Sequence, residues 1–195
     1  MTTMKTLLQM AATALVLSLF SACIPAPAFA QNASLGTNLA GYANFGTLNC
    51  EASLGVARRW SVTAGLRYNP FTFPGGAQGG PREFRQRTVA LGTRFWPWHI
   101  YSGWWLAAKA QYQEYNVGGF VSPETREGDR VGGALSAGYT YMIGPHFNVE
   151  AGAGVWAGRD WYTLYSCPSC GRTLDKGNAK FLMLNEILLG VTYVF

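Results

Sequence analysis

The sequence predicts an all-β fold, an eight-stranded antiparallel transmembrane β-barrel arranged as an up-and-down meander. From Ala33 onward, apolar residues recur at every second position in segments of strand length, which is typical of strands with one apolar face. Charged residues make up only 13% of the chain, whereas an average soluble domain has about a quarter. Because no later segment is apolar for long enough to cross a membrane as a helix, a membrane-embedded chain must cross as strands of a closed barrel.

The first thirty residues have the pattern of a secretory signal peptide. Lys5 precedes an apolar run over 7–20, and the residues AFA at 28–30 form a small-residue cleavage site. The run is shorter than the roughly 20 residues that a spanning helix needs. We therefore predict a cleaved signal peptide at 1–30 and one outer-membrane β-barrel domain at 31–195. The predicted location is the bacterial outer membrane, with both termini in the periplasm.

Eight segments qualify as strands, because each alternates apolar and polar residues between turn residues such as Gly, Pro and Asn. The connections at 70–82, 116–128 and 159–178 are long, whereas the others are short. Transmembrane barrels have long external loops and short periplasmic turns, so this alternation fits them. The predicted strands cover 33–42, 47–57, 60–69, 83–96, 103–115, 129–143, 146–158 and 179–195.

The segments differ in how clearly they alternate. The first ends at a short external connection, and the second (TLNCEASLGVA) and third (WSVTAGLRYN) alternate throughout. The fourth, fifth and sixth place small or polar residues such as Gly92, Lys109 and Gly138 on one face. The seventh (HFNVEAGAGVWAG) alternates except at Trp156. The eighth is ambiguous around Leu184, because both of its faces carry leucine there.

The chain ends on an aromatic residue at the end of an alternating strand. Ile187, Leu189, Val191, Tyr193 and Phe195 occupy every second position. This ending resembles the C-terminal insertion signal of bacterial outer-membrane barrels. The resemblance implies that Tyr193 and Phe195 act as the insertion signal, that the barrel assembly machinery is a partner during insertion, and that the folded chain is surrounded by outer-membrane lipid.

The polar face of the predicted barrel carries glycines and six ionisable residues. An eight-stranded barrel has a narrow interior that side chains fill, so small residues belong there. One Arg or Lys on the lipid face at the bilayer midplane costs about 2–4 kcal/mol, so we place these charges in the interior. We predict an ionic network in the lumen with equal numbers of acids and bases: Glu51, Arg67, Arg94, Lys109, Glu150 and Glu186.

The apolar face carries most of the large aromatic residues, close to the predicted strand ends. This distribution matches the aromatic girdles of transmembrane barrels. We assign to this face Trp60, Tyr68, Phe95, Trp104, Tyr112, Tyr139, Tyr141, Phe147, Phe181, Tyr193 and Phe195. A soluble barrel with its apolar side chains turned inward has the same alternation. The low charge content and the glycines of the polar face favour the membrane form.

Several short motifs resemble those of the outer-membrane barrel family known as domain of unknown function 3575 (DUF3575). They are LRYNPFTF at 66–73, RFW at 94–96, YNVGG at 115–119, GYTY at 138–141, NVEA at 148–151 and CPSCG at 167–171. The resemblance implies a small outer-membrane barrel without an assigned activity. Members of that family usually carry Pro-Glu shortly before the RFW motif, where this chain has Leu91-Gly92. The resemblance therefore implies that a lumen acid able to partner Arg94 is missing here.

Two cysteines, separated by two residues, lie in the longest predicted loop. The spacing of Cys167 and Cys170 permits a structural disulfide, free thiols, a metal half-site or a redox pair. We favour the disulfide, since exported proteins are in an oxidising compartment and the two histidines are predicted at the opposite end of the barrel. We predict no metal site and no cofactor. Cys23 offers a lipoprotein acylation site as a weaker alternative to signal cleavage.

Charged residues at the external rim suggest contacts outside the barrel. Arg82, Arg85 and Arg87 begin the fourth strand there and are able to bind lipid phosphates. Asp160 and Ser166 share the last loop, but no external histidine supplies a base, so we predict no enzyme. The sequence has no run of basic residues interleaved with aromatic residues, which is the pattern typical of nucleic-acid binding. We therefore predict no nucleic-acid partner.

The composition leaves the biological role open among several classes. We predict a non-enzymatic outer-membrane barrel with a structural role in the envelope or a surface-loop interaction with a protein partner. The alternatives are a lipid-modifying enzyme of the outer membrane, an accessory subunit of a fimbrial-type surface assembly, and a soluble binder of small apolar ligands.

Overall fold

The computed structural model describes residues 32–167 and 171–195, together with their side chains except at 185 and 186. The predicted signal peptide lies outside the described residues. The strands and the one short α-helix are β1 (Ala33–Asn38), α1 (Leu39–Ala43), β2 (Leu48–Ala57), β3 (Trp60–Asn69), β4 (Thr72–Phe73), β5 (Arg82–Phe95), β6 (Gly103–Gly118), β7 (Thr125–Met142), β8 (Phe147–Tyr165) and β9 (Thr173–Val194). Among the described residues, no helix has the length and apolar character needed to span a membrane.

Eight long strands form one antiparallel sheet that closes on itself. Each strand pairs with the next in the chain, from β1 through β3 and from β5 through β9. β3 pairs directly with β5, and β9 pairs with β1, which completes the ring. The two-residue strand β4 adds only a short ribbon beside the start of β5. The predicted all-β antiparallel class and its sequential strand order are confirmed.

The first strand is shorter than predicted because asparagine side chains replace its backbone ladder. β1 ends at Asn38, and the next five residues form α1 instead of continuing to 42. The Asn38 side chain accepts a hydrogen bond from the Ala40 amide at 3.1 Å and caps this helix. The Asn38 amide itself donates to the Asn49 side chain at 2.5 Å. This local competition with strand pairing is typical of asparagine.

The predicted loop at 159–178 is largely wrong, because most of it is strand. β8 continues to Tyr165 and β9 begins at Thr173, and their pairing runs from Phe147–Tyr193 up to Tyr165–Thr173. β7 likewise begins at Thr125 instead of 129. Arg159, Asp160, Asp175 and Lys176 interrupt the alternation of apolar and polar residues, so the sequence pattern does not reveal these strands. Asp160 and Arg126 therefore lie on strands, not in connections.

A β-bulge resolves the ambiguous face of β9. Gly154 lies opposite Glu186 whereas Val155 lies opposite Leu184, so residue 185 is extra and the alternation shifts by one. Leu184 consequently faces outward, with 63% of its surface exposed. Phe181 turns inward and its ring lies 4.7 Å from that of Trp156. The prediction that Phe181 belongs to the outer apolar face is therefore wrong.

The inner and outer faces of the ring have opposite compositions. The largest fully buried side chains include Trp96, Trp105 and Trp156, and buried ionisable residues such as Arg94 and Glu150 lie among them. Large apolar side chains are instead exposed on the outer face: Leu54, Val56, Leu66, Leu91, Leu106, Leu135, Leu182, Leu184, Ile187 and Leu189. The polar face predicted from the alternation is therefore the interior.

Glycine on β7 and β8 makes room for the largest interior ring. A Cβ at Gly138 would overlap the Trp105 ring, and one at Gly152 would lie 3.0 Å from the same ring. Gly133, on the same strand as Gly138, has nothing within 4 Å of its Cβ position. The indole of Trp105 therefore depends on glycine at 138, whereas the glycine at 133 has no such packing role.

We expect Gly138→Ala to lower the free energy of unfolding by about 1–3 kcal/mol, the usual cost of overpacking a tight interior. Urea unfolding of the folded protein, followed by tryptophan fluorescence, measures it. The matched control is Gly133→Ala, which we expect to change stability by no more than about 0.5 kcal/mol. Equal effects of the two substitutions would contradict the packing role of Gly138.

Candidate functional site

The end of the ring where Ala33 and Phe195 lie, which we call the terminal end, is closed by an aromatic plug. At this terminal end, the Phe195 amide donates to the carbonyl of Ala33 at 2.8 Å. The connection between β5 and β6 folds inward, so that Trp96 and Tyr101 are buried. The Trp96 indole donates to the Ser61 hydroxyl at 3.1 Å. Because its polar atoms have partners in the wall, the plug is fixed in place.

Above the plug lies a set of four charged side chains, which we call the central ion cluster: the buried Arg94, Lys109 and Glu150 and the half-buried Glu51. Arg94 Nη1 lies 2.9 Å from Glu150 Oε2, and its Nη2 contacts Glu51 Oε1. Lys109 Nζ lies 2.5 Å from the other oxygen of Glu51. Two acids face two bases, so the formal charges of the cluster balance. Burial of these charges is compensated by direct pairing.

Arg94 is the centre of this cluster. Its guanidinium carbon lies 4.4 Å from the centroid of the Trp105 ring and 5.9 Å from that of Trp96. Aromatic faces attract such cations, most strongly where water is excluded. Although this chain lacks the family's Pro-Glu acid, Arg94 has acidic partners, because Glu51 and Glu150 reach it from strands β2 and β8.

The six predicted members of the lumen network are only partly brought together. Arg67 lines the same small cavity of about 40 Å³ as the central ion cluster. Glu186 faces Gly154 in the strand pairing, but its side chain lies outside the described side chains. Nearby, Gln113 donates to Gln86 at 2.7 Å. The interior is therefore a connected polar layer around the charges.

A second cluster near the opposite, loop end escaped the sequence analysis. We call it the rim cluster: Tyr115, Arg126, Arg130, Asp160 and Tyr162. Asp160 is only 3% exposed, with Arg126 Nη2 at 3.0 Å and Arg130 Nε at 3.2 Å from its Oδ2. The Tyr115 hydroxyl donates to Asp160 at 2.8 Å. The alternation of side chains could have revealed it. Asp160 is an even number of residues from Trp156, so both lie on the same face of the strand.

Both arginines of the rim cluster lie over aromatic rings. The guanidinium carbon of Arg126 is 4.0 Å from the Tyr162 centroid, and that of Arg130 is 3.9 Å from the Tyr115 centroid. Stacking of this kind fixes the planar guanidinium groups. Two cations share one carboxylate, so the rim cluster has a formal excess of one positive charge.

Between the two clusters the interior is open. A cavity of about 720 Å³ lies there, a size common for small-molecule sites. Its polar lining includes Arg67, Gln111 and Gln113, and its apolar lining includes Trp156 and Met183. This internal space is therefore next to the clustered arginines.

The remaining predicted site residues lie on the surface or outside the described part. Arg82, Arg85 and Arg87 are exposed, and Arg87 Nη2 lies 2.5 Å from Glu114 Oε2 on the outer face. Tyr193 packs edge-on against Phe195, with centroids 5.0 Å apart.

The predicted disulfide falls partly outside the part of the chain that the structure describes. The disulfide involves Cys170, which lies outside the described residues, and it stays a prediction. Within 32–167 and 171–195, no group of three or more His, Cys, Asp or Glu residues is arranged to hold a metal ion.

Three of the motifs that carry the family resemblance contribute side chains to the interior of the ring. RFW supplies Arg94 and Trp96, NVEA supplies Glu150, and LRYNPFTF supplies Arg67. The family model described as "Protein of unknown function (DUF3575)" matches residues 13–195. The chain belongs to the DUF3575 family. Neither the comparison with curated proteins nor that with solved structures gave a match.

In this DUF3575 protein, we expect Arg94→Met to lower the free energy of unfolding by about 3–5 kcal/mol, because it leaves two carboxylates to share Lys109. Urea unfolding measures the loss. Arg94→Met combined with Glu150→Gln should recover part of it, since the second substitution removes an uncompensated buried charge.

The matched control for Arg94→Met is Arg87→Met, in the exposed pair with Glu114. An exposed pair contributes about 0.2–1 kcal/mol at most. A loss of less than about 1 kcal/mol for Arg94→Met would contradict a stabilising central ion cluster.

Proposed function

We propose that this protein is a small, non-enzymatic β-barrel of the bacterial outer membrane. The single observation that carries the proposal is the inverted composition of the ring. Leu66 and Leu91 on the outer face are each 60% exposed, whereas Arg94 and Glu150 inside are 5% and 3% exposed. In water this arrangement would expose a continuous apolar surface and bury charges. In lipid it places each type of side chain in its preferred surroundings.

The spacing of the outer aromatic residues supports the membrane setting. Trp60 and Tyr68 lie eight residues apart on β3, and Trp104 and Tyr112 lie eight apart on β6. At about 3.3 Å per residue the separation is about 26 Å along the strand, and a tilt of about 40° reduces it to about 20 Å. Leucine, valine and alanine occupy the outward positions between them. This distance is close to the apolar band of a transmembrane barrel, about 25 Å tall.

Aromatic pairs form the edge of that band at the terminal end. The ring centroids of Trp60 and Phe95 are 5.0 Å apart, and those of Trp104 and Tyr139 are 5.3 Å apart. Side chains of this kind favour the headgroup level of a membrane. Phe195 extends the same row, which agrees with a role in insertion.

We propose that the role is structural or adhesive. The contact surface is the part of the strands that extends beyond the apolar band at the loop end. β8 has 19 residues and β9 has 22, about twice the 9–11 that a spanning strand needs. The halves of β8 and β9 at the loop end pair with each other and carry charged and aromatic side chains. A rigid scaffold that presents such a surface suits a role in envelope integrity or in binding a protein partner.

We expect the full chain, produced in a bacterium, to fractionate with the outer membrane and to migrate differently on gels before and after boiling. Removal of Phe195 should lower the folded fraction, because it shortens the terminal aromatic row. Phe120→Ala, at a loop aromatic outside that row, serves as the control. A mature chain (31–195) that is folded and monodisperse in buffer without any detergent would overturn the proposal.

A further inference from the structure

The ring has a seam at the loop end between β1 and β9. β1 pairs with β9 only from Ser34–Val194 to Asn38–Gly190. β9 itself begins at Thr173, so most of its length has β8 on one side and, among the described residues, no strand on the other. The short helix α1 lies beside this stretch instead of a strand. The wall is therefore not fully hydrogen-bonded there.

The side chain of Asn38 lies where the seam begins, on the side of the seam nearer to the terminal end of the ring. Its Nδ2 donates to the Ile187 carbonyl at 3.0 Å, and its Oδ1 accepts from the Leu189 amide at 3.1 Å. These two hydrogen bonds to β9 take the place of the next backbone hydrogen bonds that β1 and β9 would form. Asn49 Nδ2 in turn donates to the Asn38 carbonyl at 2.9 Å. Beyond this pair of asparagines, toward the loop end, the strand ladder stops.

The large internal cavity reaches the outer surface through the seam. Leu184 and Ile187 face outward and are 63% and 58% exposed, yet both also line the cavity, together with Ala40 and Gly41 of α1. Leu182 and Leu189 flank them on the outer face. The side opening is thus bordered by apolar residues of the proposed lipid-facing surface.

The lining changes from apolar at the opening to cationic inside. Phe84, Val117 and Met183 add apolar surface. Arg67, Arg126 and Arg130 also line the cavity, and no carboxylate is among its described lining side chains. The Trp156 indole N–H is buried and has no hydrogen-bond acceptor among the described residues. The inner part of the cavity therefore combines positive charge and hydrogen-bond donors with an apolar surface.

We infer that this cavity binds an anionic amphiphile with an acyl chain, which enters sideways from the membrane through the seam. Its phosphate or carboxylate lies at Arg126 and Arg130, whose guanidinium groups suit such oxygens. Its chain lies along Trp156 and Met183 toward Leu184. The inference rests on the proposed membrane location and adds a ligand class to it.

The test uses the protein folded in non-ionic detergent, with retained ligand counted by native mass spectrometry. The probes are lysophosphatidylglycerol, lysophosphatidylcholine of the same chain length, dodecanoate and inorganic phosphate. We expect one copy of an anionic amphiphile to be retained at least about tenfold more tightly than lysophosphatidylcholine, which corresponds to about 1.4 kcal/mol. Retention of lysophosphatidylglycerol or of dodecanoate identifies the headgroup as phosphate or carboxylate.

Two variants locate the site. Arg126→Gln with Arg130→Gln and Asp160→Asn removes the cations together with the acid that they pair with, and should weaken retention at least about tenfold. Arg87→Gln, at an exposed outer-face arginine, should leave it unchanged. Ala40→Trp fills the seam and should also abolish retention, whereas Leu39→Trp, on the same helix but outside the cavity lining, should not.

Each variant is first checked for the mobility change on boiling, so that loss of folding is separated from loss of binding. Equal retention of the zwitterionic and anionic probes by folded protein would overturn the inference, as would saturation by inorganic phosphate alone or insensitivity to both site variants. Those outcomes leave the membrane location intact. Folding without any detergent would instead defeat the proposed function itself.

Discussion

The pairing of Arg94 with two carboxylates is the interaction on which the interior depends. A guanidinium that is 5% exposed is tolerated only where acceptors meet it, because an unpaired buried charge costs several kcal/mol. Glu51 and Glu150 come from strands on different parts of the ring. They reach the same cation only when the ring is closed. The cluster therefore favours the closed sheet over an open one with the same strand pairs.

The cluster also explains why the two ends of the interior differ. Below it, the aromatic rings of Trp96 and Trp105 pack against the Arg94 cation and exclude water. Above it, Arg67 and the glutamines face an open cavity, and the next charges are those of the rim cluster. The terminal end is consequently solid, while the loop end has space. A ligand inside this ring has no route through the terminal end.

The alternation of side chains along the sequence predicted which residues of most strands point to the interior, because this alternation depends only on the two-residue period of a strand. It placed Glu51, Arg94, Lys109 and Glu150 on one face, where the structure has them. It failed where one residue breaks the period, as at the bulge in β9 that turns Phe181 inward. Asp160 lies an even number of residues from Trp156, but the sequence analysis missed it because the predicted seventh strand ended at 158. Which acid pairs with Arg94 depends on strand register across the ring, and no local pattern contains that information.

The shortness of β1 follows from two asparagines, and its consequence extends beyond local structure. The Asn49 side chain accepts a hydrogen bond from the Asn38 amide and donates one to the Asn38 carbonyl, so these backbone groups are not available for a longer β1. A strand of ordinary length here would close the wall over the cavity. Because the terminal end is plugged, the seam and the loop end are the two routes left to the arginines. The seam is bordered by the exposed side chains of Leu184 and Ile187, so its lining favours an amphiphile over a polar solute.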